Sequence, residues 1–180
     1  SSSGGPYALT VFDDGAGPAL YAAGDFVEAG GISANNIAKW DGSTWSALGS
    51  GLDVFVFALT VFDDGSGPAL FAGGPFTTAG GVSVNGIAKW NGSDWSPLGT
   101  GVGYADVRAL AVFDDGTGPA LYAGGGFDEG DLHHIAKWDG LLWSPLGVGM
   151  IGPGCRNVLA LSVFDDGTGS ALYAGGDFFA

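Results

Sequence analysis

Basic residues are scarce in this chain. Five lysines and arginines stand against 19 aspartates and glutamates, for a net charge of −14. That balance argues against nucleic acid as a partner, because phosphates are met by clustered Lys and Arg. It argues equally against adhesion to anionic lipid. The single cysteine, Cys155, cannot form an intrachain disulfide, and no cysteine pattern for a metal exists. No apolar run approaches the ~18–20 residues of a membrane-spanning helix. The opening SSSGGPY has neither the basic nor the apolar region of a signal peptide. No capped stretch of 3.6-residue periodicity is present, so no helix is expected. G-x-S-x-G elements, Walker loops and HExxH pairs are missing as well.

What the chain has is glycine, 36 residues of it, and one phrase said four times. The phrase reads ALTVFDDGAGPALYAAG from Ala8, ALTVFDDGSGPALFAGG from Ala58, ALAVFDDGTGPALYAGG from Ala109 and ALSVFDDGTGSALYAGG from Ala160. Its first phenylalanine falls at Phe12, Phe62, Phe113 and Phe164, at intervals of 50, 51 and 51 residues. A fixed period of this size marks a repeat architecture whose units stack to bury a common core. A second phrase, IAKWDGSTWSALGSG from Ile37, recurs from Ile87 and Ile135 but has no fourth copy.

Each unit reads as four short strands. Ala58–Asp63 alternates, with Leu59 and Val61 on one face and Thr60 and Phe62 on the other. The acidic pair and its glycines supply a turn, and Pro68 opens the next strand, residues 69–72. A longer loop covers residues 75–86, followed by a third strand, Ile87–Trp90. Asn91 and Gly92 form a hairpin signal, and the fourth strand carries Trp95 and Pro97. Proline there points to a sheet edge.

Four strands per unit, a glycine pair after the second and paired aromatics in the third and fourth point to an all-β fold, a β-propeller. These residues resemble the kelch repeat. The strand ending in a glycine pair and followed by spaced aromatics is matched by Tyr122, Gly124, Gly125, Trp138 and Trp143. Trp138 stands where kelch repeats usually have Tyr, and its spacing to Trp143 is one residue short. The wording of the unit is also similar to kelch-like repeats in large secreted or surface proteins of environmental bacteria. The resemblance implies four-stranded blades, approximately 7–50, 55–100 and 106–149, with a half-blade at 157–180. About three and a half blades cannot close a ring of the usual four to eight. The expected partners are therefore further blades of the same chain or other copies of it.

Candidate sites follow from what repeats and what does not. Asp13, Asp14, Asp63, Asp64, Asp114, Asp115, Asp165 and Asp166 fall at one rim of such a ring, where carboxylates and carbonyls suit Ca²⁺. Aspartate is also a turn former, and turn chemistry is the stronger reading. Asp41-Gly42-Ser43-Thr44-Trp45 is similar to the Asp-box hairpin of sialidase-type propellers, a structural device. Lys39, Lys89 and Lys137 share one repeat position and are expected to pair with an acid of the same or a neighbouring unit. The six tryptophans, at two repeat positions, are expected to pack one unit on the next. Adjacent His133 and His134 on a strand would point to opposite faces and so could not chelate one metal. Phe55, Phe57, Tyr104, Arg108, Met150, Ile151 and Arg156 lie in the non-repeated connections between units. Loops on a rigid scaffold are where binding is built, so these seven are the candidate contact surface, although packing locally or at the ring's channel is the stronger reading.

The expected function is a non-catalytic extracellular or cell-surface module for binding, adhesion or scaffolding, with no cofactor unless calcium. A lectin-like carbohydrate binder using Trp and Asp is the alternative. A further one is a piece of a larger enzyme whose catalytic residues lie elsewhere.

Overall fold

The computed structural model describes residues 4–103, 106–151 and 157–177. Tyr104, Cys155 and Arg156 lie outside them. Every regular element among the described residues is a β-strand. The first unit comprises β1 (Pro6–Asp13), β2 (Pro18–Gly24), β3 (Glu28–Ala29), β4 (Ile32–Ser33), β5 (Ile37–Trp40) and β6 (Trp45–Ala47). The second comprises β7 (Ala58–Asp63), β8 (Pro68–Gly73), β9 (Thr78–Ala79), β10 (Val82–Ser83), β11 (Ile87–Trp90) and β12 (Trp95–Pro97). The third has β13 (Val107–Asp114), β14 (Pro119–Glu129), β15 (Leu132–Trp138) and β16 (Trp143–Pro145), and the chain continues into β17 (Asn157–Asp165) and β18 (Ser170–Asp177).

Three four-stranded antiparallel sheets result, ordered β1-β2-β5-β6, β7-β8-β11-β12 and β13-β14-β15-β16. A two-stranded sheet, β17-β18, follows them. Pro97 and Pro145 sit on edge strands, as their missing N–H requires. The long loop of the first two units is itself a tiny hairpin, β3-β4 or β9-β10. In the third unit that loop is three residues shorter. There the hairpin fuses with its neighbours, so that β14 runs for 11 residues and pairs with β15 across a register shift between Gly124 and Asp128.

The sheets stack in chain order, with β1, β7, β13 and β17 side by side. Alternation along each strand explains the stacking. Phe12, Tyr21 and Ile37 of the first unit face Leu59, Val61, Leu70, Ala72 and Trp90 of the second, in one apolar cluster. Phe62, Phe71 and Ile87 of the second unit face Leu110, Val112, Leu121, Ala123 and Trp138 of the third in another. Each fully buried side chain of this size contributes about 1.5–3 kcal/mol of transfer free energy. The tryptophans add directed bonds across the same seams. Trp95 Nε1 donates to the Leu48 carbonyl and Trp143 Nε1 to the Leu98 carbonyl, both at 3.1 Å.

The glycine pair has two separate jobs. A Cβ on Gly73 would lie 2.6 Å from Val107 Cγ1, and one on Gly124 would lie 2.5 Å from Val158 Cγ1. In the second and third units the first glycine therefore admits the valine that follows, while the first unit has Ala23 at that position. A Cβ on the second glycine would collide with its own unit's backbone, 2.0 Å from the Asp106 carbonyl at Gly125 and 2.1 Å from the Asn157 carbonyl at Gly176.

Candidate functional site

The strands have two ends, and the two differ in chemistry. At one end are the acidic turns that join the first two strands of each unit. Asp13 Oδ1 accepts hydrogen bonds from the amides of Gly15 and Gly17, both at 2.9 Å. Asp63, Asp114 and Asp165 repeat this pattern on their own turns. The glycines are required because both take positive φ, 97° and 105° in the first turn.

The second aspartate of the first three turns pairs with a lysine of its own unit. Asp14 accepts from the Tyr21 hydroxyl at 2.8 Å and pairs with Lys39 of the same unit. Asp115 accepts from the Tyr122 hydroxyl at 3.0 Å and from Lys137 at 2.6 Å. In the second unit phenylalanine replaces the tyrosine at Phe71. Lys89 there takes both oxygens of Asp64, each at 2.7 Å. All three lysines thus pair within their own unit. Burial alone raises the carboxyl pKa of Asp14 and Asp64, but the lysine, the neighbouring hydroxyl and a turn amide outweigh it, so both stay below the usual carboxylate range. Burial and the adjacent Asp14 push the Tyr21 phenol well above its ordinary value. The turn of the second hairpin lies at this same end. Asp41 Oδ1 accepts from the amides of Ser43 and Thr44, each at 2.8 Å. Asp166 follows the other turns, bonding the Thr168 amide and hydroxyl. No three His, Cys, Asp or Glu side chains gather as a metal-binding group among the described residues.

At the opposite end one position does not repeat. Tyr7, Phe57, Arg108 and Leu159 occupy one repeat position, immediately before the repeated phrase. Three of them form a stack across the units. The Tyr7 and Phe57 rings lie 6.0 Å apart at 28°, and the Arg108 guanidinium sits 4.9 Å from the Phe57 centroid. Phe55 packs on Phe57 at 5.1 Å, and Arg108 is ion-paired with Asp106. Arg108 Nε is buried without a hydrogen-bond partner.

Of the seven candidate contact residues, then, Phe55, Phe57 and Arg108 come together. Met150 lies elsewhere, its amide donating to the His133 carbonyl at 2.9 Å, and Ile151 beside it is exposed. Tyr104 and Arg156 lie outside the described residues. Tyr7 also belongs to the stack, although it lies outside the connections between units. The signal was its repeat position, shared with Phe57 and Arg108.

The histidine pair departs from simple strand alternation. His134 takes φ 64°, at the position held by Asn36 (φ 64°) and Gly86 (φ 73°) in the earlier units. It is buried, and its Nδ1 has no partner. His133 Nδ1 lies 2.6 Å from Asp128 Oδ1, and that contact holds the Asp128 carboxyl below its usual range.

Comparison with family models, curated proteins and solved structures finds no match to this chain. No helix among the described residues is long and apolar enough to cross a membrane.

Proposed function

We propose that this chain is a non-catalytic segment of a kelch-like β-propeller, a scaffold for binding whose contact surface is the non-repeated end of the strands. The observation that carries this reading is the division of labour between the two ends. In the three units that carry a lysine, the repeated aspartate and lysine satisfy one another, joined by a tyrosine in the first and third. Tyr7, Phe55, Phe57 and Arg108, which differ from unit to unit, converge on one rim. Aromatic and guanidinium groups are the side chains that most often anchor interfaces. An extracellular or cell-surface setting belongs to the same reading and rests on the resemblance of the repeats. The tryptophans support the scaffold role over a lectin role, because those of the second and third units are engaged between sheets.

The test pairs binding with turnover. The chain and its Tyr7→Ala/Arg108→Ala variant are probed on peptide and glycan arrays, and the chain is screened with chromogenic glycoside and ester substrates. Array signals that the double variant loses support the proposal. Signals it retains place the contact surface elsewhere. Turnover by purified chain overturns the non-catalytic assignment. Calorimetric titration with Ca²⁺ is expected to give no heat and no thermal shift, and a saturable heat lost in Asp63→Asn would make the acidic turns a calcium site.

A further inference from the structure

The internal seams of the stack define what each sheet face requires, and two faces lack it. Leu59 and Val61 are covered by Phe12 and Tyr21 of the unit before. Their equivalents in the first unit, Leu9 and Val11, are 61% and 63% exposed. On the other side, Phe12 is 4% and Tyr21 0% exposed, whereas their equivalents in the last hairpin, Phe164 and Tyr173, are 59% and 46% exposed. The glycines tell the same story. A Cβ on Gly73 or Gly124 would strike the valine of the following unit, while one on Gly175 would meet nothing within 4 Å. Repeat proteins whose ends stay in water carry polar residues on the terminal faces. Here the exposed faces of β1 and of β17-β18 keep the apolar residues of a covered seam.

From this we infer that the face of β1 bearing Leu9 and Val11 docks on the face of β17-β18 bearing Phe164 and Tyr173 of a second copy of this chain, head to tail. The two exposed faces are the two halves of the seam already formed twice within the chain. A head-to-tail contact of this kind either closes into a ring or extends as a filament, according to the rotation between copies. The inference is independent of what the Tyr7–Arg108 rim binds.

The joint between copies is weaker than the internal seams, for a nameable reason. Val56 and Val107 are fully buried, and their amides donate to the carbonyls of Gly24 and Gly74 at 3.1 and 3.3 Å. The first unit has Pro6 at this position, exposed and without an N–H. The joint therefore lacks one buried side chain and one hydrogen bond. A cleft of about 270 Å³ beside Trp45, lined also by Phe26 and Ala29, stays open in the joint. In the second unit the matching place is filled by Leu52, which bridges to Ala79.

Sedimentation velocity over a wide concentration range tests this. The 17.9 kDa chain is expected to associate reversibly. Leu9→Glu and Phe164→Glu should each abolish association while the far-UV spectrum stays that of the parent, since both side chains are exposed. Each variant keeps one intact face, so mixing the two should restore a heterodimer that grows no further. Pro6→Val should tighten association by restoring the side chain and the donor. A chain that stays monomeric throughout overturns the inference. So does association that survives both substitutions, or a mixture of the two variants that stays monomeric.

Discussion

The two ends of the strands were built from the same repeats and have diverged in opposite ways. At the acidic end, four turns keep the same Asp-Asp-Gly-x-Gly frame and the same pair of glycine amides on each leading aspartate. At the other end, one position reads Tyr7, Phe57, Arg108 and Leu159. Repetition there would have produced a ladder of identical rings. The chain instead has two rings, a guanidinium and an aliphatic side chain. Carboxylates that look like a site in the sequence are occupied by their own backbone and lysines. The stack that carries individuality is held only by ring contacts and one ion pair, which leaves its edges available.

That contrast can be broken from several directions. The largest effect is expected where the seams between units meet the tryptophans. Trp95→Ala removes a buried ring and its bond to the Leu48 carbonyl, and should cost about 3–5 kcal/mol in urea unfolding. Next comes the inward carboxylate of the acidic end. Asp64→Ala leaves the largely buried Lys89 ammonium without its partner, and should cost about 1–3 kcal/mol. A loss no larger than at an exposed site would mean the repeated pairs are not structural.

The same end sets the acid limb of stability. Asp14 and Asp64 have folded pKa values below the unfolded value of ~3.9. The unfolded state therefore binds more protons between the two values. The stabilisation is fully present above the unfolded pKa and is lost as pH falls through the folded one. Thermal midpoints should be flat on this account from neutrality to about pH 5 and fall below about pH 4. Asp64→Ala should flatten that fall. The smallest effect on stability belongs to the other end. Arg108→Ala forfeits a cation–π contact worth about 0.5–1 kcal/mol. It should change the unfolding midpoint little while altering binding. A large loss of stability would place the stack with the architecture.

Much of this fold was legible because its signals are local. The strands Ala58–Asp63 and Ile87–Trp90 fall where β-formers and turn residues bracket them. The alternation of Leu59, Val61 and Phe62 assigns each to its correct neighbour. The hairpins β3-β4 and β9-β10 were read as loop, because two-residue strands carry no periodicity. Lysine pairing was foreseen, but its partner needed the register that sets Tyr21 opposite Lys39 and Lys39 near the turn. Strand alternation failed at His134 because this left-handed residue sits at the register shift between β14 and β15. The contact surface was half legible. The connections between units hold Phe55, Phe57 and Arg108, whereas Tyr7 stands near the start of the first unit and lies in none of them.

The number of covered faces per unit also sets how the molecule breathes. Among the described residues the second unit is packed on both faces, whereas one face of the first unit and one face of β17-β18 are exposed. In a stack held by nearest-neighbour seams, opening free energy is the sum of a unit's own term and the seams it must break. Amide exchange should therefore be slowest in β8 and β11, faster in β2 and fastest in β18. If head-to-tail docking occurs, it should raise protection first at the two extremities, where the isolated chain is softest.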